Sequence, residues 1–373
     1  MLLVQNVLDW TEGILLQGEP EVLIREVHFD SRQLHHDALF VALTTGRRDG
    51  HQFIESAIQN GAIAILLSKD DSSLRQKYPQ IHFIYVKNTE KAFQTMAASY
   101  RKQLNLPVIA VTGSNGKTTT KDMIAHLLKG KFNVHKTYKN LNNHLGVPLS
   151  LLSIRPDHDM AVLEMGMNKA GEISFLARIA QPNISVITNI GEAHIQFFGT
   201  REKIAQAKGE ILPETDPSGF VLLNGDDPFV LSQARRYQGQ VFTYSILKQA
   251  DIYATDITYS ESGSSFNVHL DGRTIPCFMP LLGEHNISNV LPAIFIAERF
   301  NIDLDLIKER MISLTVSEMR FQTMEGPNGS ILVNDAYNAS PTSMNAAART
   351  FAQIYPERKK VLVLGDIFEL GEH

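Results

Sequence analysis

Gly113, Ser114, Asn115, Gly116, Lys117, Thr118 and Thr119 form a run whose residue types and spacing suit an anion. Two glycines let the backbone turn so that successive N–H groups face one point, and a helix starting there adds its dipole. Lys117 can reach the outer phosphates of a nucleotide, and the Thr118 hydroxyl can sit on a bound Mg²⁺. The run Val108-Ile-Ala-Val111 precedes the loop, and Met123, Ile124, Leu127 and Leu128 share one face of the segment after it. The pattern therefore predicts strand, phosphate loop and helix. One position departs from the general G-x-x-x-x-G-K-[ST] expression, which wants glycine where this chain has Val111. A glycine-rich turn before an ordinary helix is the competing reading.

The elements that must position this loop follow from four apolar runs that each stop at polar residues. Val108–Val111 ends at the loop, 160–163 at Glu164, 184–187 at Thr188-Asn189, and 220–223 at Asn224-Gly-Asp226-Asp227. In a doubly wound parallel sheet ligands bind outside the carboxyl ends of the strands, so these ends should converge on one site. Glu164, an acidic strand end, suits a hard cation that wants oxygen ligands. Other residues are bland when taken singly. His194 reads as a hydrogen-bonded loop residue, Lys208 as a surface lysine on a helix, Asn142 and Asn143 as a turn, and Arg320, Asp335, Asp366 and Glu369 as loop charges.

The whole sequence of 373 residues is too long for one ordinary core. Residues 1–104 read as a small α/β unit with strands at 22–29, 38–43, 62–67 and 81–86. Residues 105–313 carry the phosphate loop on a mainly parallel sheet, with antiparallel strands within 251–280 and an Asp271-Gly272 turn. Residues 314–373 begin a third unit, with strands at 331–335 and 360–366 and a helix between; that much cannot enclose a core, so this unit is read as incomplete. A net charge of −5 argues against a protein that neutralises nucleic-acid backbones. The single cysteine, Cys277, excludes an internal disulfide and suits a reducing cytoplasm. A signal peptide and a membrane span are not expected.

Taken together and in order, these residues resemble the Mur ligase family. The resemblance rests on the loop 112–119, Asp30-Ser31-Arg32 with Asp49-Gly-His51, Asn142-Asn143 with Gly146-Val-Pro148, Glu164-Met-Gly with Gly171-Glu-Ile, Thr188-Asn189 with Ala193-His194, and Ala207-Lys208-Gly-Glu-Ile211. It continues through Asn334-Asp335-Ala-Tyr-Asn338-Ala339 and Leu364-Gly-Asp366 with Glu369-Leu-Gly371. The family's phosphate loop tolerates the missing glycine. The resemblance implies a three-domain α/β architecture: a uridine-nucleotide domain, a central ATPase, and a Rossmann-like third domain that closes over ATP.

It also implies an ATP- and Mg²⁺-dependent ligase joining D-alanyl-D-alanine to a UDP-N-acetylmuramoyl tripeptide through an acyl phosphate, acting in the cytoplasm as a monomer. Lys117, His194, Lys208 and Arg320 would then be catalytic. Thr118, Glu164, His194 and a carbamylated Lys208 would lie at the metals, Asn286 and Asn289 at adenine, and Arg320 and Asp335 at phosphate and ribose. Ser31, Arg32, Asn143 and Asn338 would contact substrate. Ile367 stands where the family usually has Met, a volume-conserving change, and the final part of a typical member is missing. Two alternatives stay open. One is the ligase adding the third amino acid, whose Asp-Asn-Pro-Arg signature is absent here; the other is a truncated ATP-binding chain with little catalysis.

Overall fold

The computed structural model describes residues 2–46 and 48–370, which form two compact units. Gly371, the last residue of the final motif, lies outside the described residues. The first unit comprises Met1–Leu106, Leu141–His158 and Arg178–Ala180. Its sheet runs in the order Ile14–Gln17, His82–Tyr85, Ala62–Leu67, Ala38–Val41, Glu26–His28. The last four are parallel, and Ile14–Gln17 adds an antiparallel edge. Ala38-Leu-Phe-Val41 is buried at every position, as a strand covered on both faces requires. The helix Thr89–Gln103 starts where Asn88 accepts from Lys91 N, and it packs on the helix Gly146–Leu152. Tyr100, mostly buried there, donates to Ile154 O at 2.6 Å.

The second unit, Pro107–Asn140, Asp159–Ala177 and Gln181–His373, is built on a nine-stranded sheet. From one edge its order is Val134–Lys136, Met160–Glu164, Val108–Thr112, Ile184–Ile187, Phe220–Asn224, Gln240–Ser245, Ile252–Ser260, Gly263–Leu270, Arg273–Met279. Every pairing up to Ile252–Ser260 is parallel, and the last two are antiparallel. The antiparallel strands expected within 251–280 therefore continue the main sheet, because Ile252–Ser260 lies parallel to Gln240–Ser245 on its other side. Their turn has Asp271 and Gly272 at φ 49° and 74°, the left-handed pair a two-residue hairpin of the primed type needs.

The helix Glu284–Arg299 packs on the phosphate-loop helix Lys117–Leu128 and on the sheet. Phe295, fully buried, meets Phe242 at 4.9 Å and Phe220 at 5.8 Å between ring centroids. This cluster fixes the helix that carries Asn286 and Asn289.

One expected element is absent. Residues 361–370 form no strand, and Val361 and Val363 are 70% and 92% exposed. A β-branched run becomes a strand only when a neighbour takes its backbone hydrogen bonds, and no described strand pairs with it. Gln322–Glu325 and Ile331–Asn334 pair only with each other, as an antiparallel hairpin.

Phe295→Ala should destabilise the second unit by about 3–5 kcal/mol, the usual cost of emptying a filled aromatic site. Thermal unfolding followed by circular dichroism checks this; an unchanged transition would show that the cluster does not hold the helix.

Candidate functional site

The phosphate loop is shaped by the next strand end along the sheet. Gly113 has φ 146°, and a Cβ there would run into the Thr188 hydroxyl; Gly116 has φ 78°, and a Cβ there would meet Asn289 Oδ1. Both positions thus need glycine for conformation and for space. Asn189 grips the loop twice: its Oδ1 accepts from Asn115 N at 2.9 Å, and its Nδ2 donates to Asn115 O at 3.1 Å. Thr188 Oγ1 donates to the same carbonyl at 2.6 Å, and Ser114 N donates to Asn189 O at 2.8 Å. The 188–190 turn is itself braced, by Asn224 Nδ2 and Tyr244 Oη on Thr188 O and by Asp227 on Ile190 N. Asn224 and Asp227 act here as supports of the loop, and Asp226 binds Ser245 and Ile246 N at the end of the adjacent strand.

At the start of the helix, Lys117 Nζ donates to Gly113 O and Ser114 O at 2.9 and 3.1 Å, and burial lowers its pKa. Thr118 Oγ1 donates to Glu164 Oε2 at 2.9 Å, with both residues buried. Arg320 reaches the same hydroxyl, its Nη2 lying 3.2 Å from Thr118 Oγ1, and its guanidinium stacks 4.0 Å from the centre of the Tyr337 ring. Ser340 Oγ lies 3.4 Å from Asn115 Oδ1. Asn115 Nδ2 is buried without a hydrogen-bond partner, an uncommon state for a donor in a folded protein.

The hydroxyl and carboxylate of Thr118 and Glu164 are hard oxygen donors. Among the described residues no group of three His, Cys, Asp or Glu gathers as a metal cage. Two protein oxygens beside a phosphate loop fit Mg²⁺, which keeps waters and takes substrate phosphates as further ligands. His194, at φ 66° before the short helix Ile195–Phe198, pairs through Nδ1 with Glu369 Oε2 at 2.6 Å. Burial lowers its pKa against the opposing pull of Glu369. Lys208 ends the helix Arg201–Lys208 and is only 2% exposed, which overturns its bland reading as a surface lysine. Burial first, and then the charge of Lys117, push its pKa well down.

Asn286 is buried and spends its Nδ2 on Leu282 O at 2.8 Å, whereas Asn289 Oδ1 accepts from Thr120 Oγ1 at 3.3 Å beneath the loop. Asp335 accepts from Phe321 N at 2.9 Å, directly after Arg320. Asn338 is exposed and turns its Oδ1 to Ala339 N. The sequence did not single out Lys121 or Asp122. Lys121 is buried one helical turn after Lys117, and a basic residue on the inward face of a helix was the available signal.

The first unit holds the remaining candidates. Asp30 accepts from Arg32 N and chelates the Arg32 guanidinium, while Asn60 Nδ2 donates to Ser31 O at 2.8 Å. The Arg32 side chain is 83% exposed apart from this pairing with Asp30. His51 binds Asp49 through Nδ1 and takes Ser68 N and Lys69 N on Nε2, which ties Asp49-Gly-His51 to the end of the strand Ala62–Leu67. Asn143 Oδ1 accepts from Leu145 N and Gly146 N, so its oxygen starts the helix Gly146–Leu152.

Family models match along the chain as the Mur ligase family catalytic domain at residues 23–101, the Mur ligase middle domain at 111–297, and the Mur ligase glutamate ligase domain at 319–373. The chain is 40% identical over 370 residues to UDP-N-acetylmuramoyl-tripeptide--D-alanyl-D-alanine ligase of Bacillus subtilis (strain 168), covering 99% of this chain and 79% of that one. This chain belongs to the Mur ligase family. The enzyme of the same name from Escherichia coli (strain K12) is 35% identical, with 95% and 77% covered.

Among solved structures, MurF from Acinetobacter baumannii superposes on this Mur ligase with TM-score 0.89 at 32% identity, covering 99% of this chain and 80% of that one. MurF ligase from Thermotoga maritima in complex with ADP gives TM-score 0.83 at 29% identity, with 95% and 80% covered. The mixed α/β architecture with parallel sheets expected from the sequence is the family's own.

Asn189→Ala removes the two Asn189 side-chain bonds to Asn115 and leaves that of Thr188, and ADP binding should weaken about tenfold, ~1.4 kcal/mol. Calorimetric titration measures it, and unchanged affinity would show that Asn189 does not set the loop's shape.

Proposed function

We propose that this Mur ligase joins D-alanyl-D-alanine to a UDP-N-acetylmuramoyl tripeptide in peptidoglycan precursor synthesis, at the expense of ATP, working in the cytoplasm as a monomer. The observation that carries the reading is the meeting of Lys117, Thr118, Glu164 and Arg320 at one phosphate loop. The unpartnered Asn115 amide on that loop is a ready donor for a phosphate oxygen. The names of the relatives supply the choice of substrates.

In the first step a terminal carboxylate oxygen of the tripeptide attacks the γ-phosphorus of ATP. The new O–P bond gives an acyl phosphate as the bond to ADP breaks. Two anions must approach each other, so Lys117 and Arg320 have to neutralise charge on the oxygens in transfer. The neutral amine of the dipeptide then attacks the acyl carbon. A tetrahedral intermediate forms, inorganic phosphate departs with its bonding pair, the nitrogen loses a proton, and the amide remains. Mg²⁺ would be held by Thr118 and Glu164, with His194 and Lys208 toward a second position, and would supply charge neutralisation and orientation of the phosphates.

Lys208 suits carbamylation, because the neutral amine favoured by its burial is the form that adds to CO₂ with loss of a proton, and the product is an oxygen ligand. Asn286 and Asn289 would face adenine and Asp335 the ribose. Ser31, Arg32, Asn143 and Asn338 would serve the uridine nucleotide and peptide. The middle-domain and third-domain boundaries, 105–313 and 314–373, follow the same assignment, as does 1–104 for the uridine-nucleotide domain.

The test is phosphate release from ATP with both co-substrates and with each omitted. Release should require UDP-N-acetylmuramoyl tripeptide together with D-alanyl-D-alanine, and Lys117→Ala should lower it by about 10²-fold or more. Turnover indifferent to the dipeptide would contradict the proposal.

A further inference from the structure

Lys121 is among the most deeply buried charged side chains of the second unit, 1% exposed, yet the reaction above gives it nothing to do. Its Nζ donates to Thr137 O at 2.8 Å and to Lys139 O at 3.1 Å, just past the end of the strand Val134–Lys136. It lies 3.5 Å from Asp122 Oδ1 and 3.9 Å from Glu164 Oε2. Asp122 is already engaged by Lys136 Nζ at 2.6 Å and by Ser317 Oγ at 2.8 Å. The Lys121 charge is thus shared between Asp122, the nearer carboxylate, itself shared with Lys136, and Glu164. Thr137 holds the same carboxylate residue from the backbone side, its Oγ1 accepting from Glu164 N at 3.1 Å.

This arrangement has an electrostatic consequence. A fixed ammonium beside a buried carboxylate satisfies that carboxylate before any metal arrives, and it repels a divalent ion that would bind there. The repulsion is offset only when the negative phosphates of a nucleotide enter the loop. Lys117 and Arg320 lie on the same side of the balance, since both act electrostatically near Glu164 or Thr118.

We propose that Lys121 is a positioning residue that makes divalent-metal binding at Glu164 depend on bound nucleotide, its ammonium serving as counter-ion to Glu164 while it clamps the Thr137–Lys139 backbone against that strand end. The proposal rests on the reading of Glu164 as a metal-side carboxylate. Its ligand is a bare divalent cation, and its effect is an order of events: nucleotide first, or nucleotide and metal together.

Electron paramagnetic resonance of free Mn²⁺ tests it, with and without ADP, on the whole chain, the parent compared with Lys121→Met, Lys121→Gln and Lys121→Arg. Gln keeps a donor for the two carbonyls without the charge, so it serves if Met does not fold; melting temperature in metal-free buffer reports folding. Either charge-free variant should bind Mn²⁺ alone about tenfold more tightly than the parent, a difference of ~1.4 kcal/mol. The further gain on adding ADP should shrink, and Arg should stay near the parent. A purely structural lysine would move the melting temperature and leave Mn²⁺ affinity alone. Mn²⁺ binding that depends on Glu164 but is equal or weaker in a folded charge-free variant overturns the proposal by itself. Mn²⁺ binding unchanged in Glu164→Gln removes the reading of Glu164 and the proposal with it. Neither readout uses the ligase reaction, so a failure of the substrate assignment shows separately, in the phosphate-release assay.

Discussion

The hydrogen bond from Thr118 Oγ1 to the buried carboxylate of Glu164 is the interaction on which the second unit is arranged. A carboxylate with 1% exposure is costly unless partners hold it. Its partners can be in place only if two neighbouring parallel strands end at the same height. The register that sets Val111 opposite Glu164 and Thr112 opposite Ile187 does that, and so brings Glu164, Thr188 and Asn189 around the phosphate loop. Gly113 and Gly116 then follow as the residues that allow the loop to pass so close to Thr188 and Asn289.

The charge around this centre is uneven. Lys117 and Lys121 are withdrawn from water with their pKa values pushed down by burial, and Arg320 comes in from beyond the main sheet. Cations held this way are destabilised on their own and become favourable beside a polyanion. The same feature explains why a site for a triphosphate can be built in a chain of net charge −5. The needed positive charge is local and buried, with acidic residues elsewhere on the molecule.

Much of this was legible in the sequence because it depends on local pattern. The β-branched runs and the glycine spacing specified the strands and the loop, and the polar residues ending each run marked the face where ligands bind. What could not be read was long-range. Lys208 looks like any helix lysine until the fold shows which face of its helix is covered. Asn224 looked like a candidate for chemistry, whereas its amide is spent on Thr188 O thirty-six residues away in the chain. The 360–366 run had the composition of a strand, but a strand is defined by its neighbours, and none of those described pairs with it. The Mur ligase resemblance implies roles for His194 and Lys208, and the fold supplies what no local pattern shows: Glu369 as the partner of His194, and burial that lowers the pKa of Lys208.

Thr118 and Glu164 together are proposed as the metal-facing edge of the nucleotide site. Anomalous diffraction from crystals grown with Mn²⁺ and ADP tests this assignment most directly. A Mn²⁺ peak is expected within bonding distance of Thr118 Oγ1, on the Glu164 side of the loop, with ADP phosphates completing its coordination. A peak elsewhere, with the Thr118–Glu164 hydrogen bond intact beneath bound ADP, would contradict it.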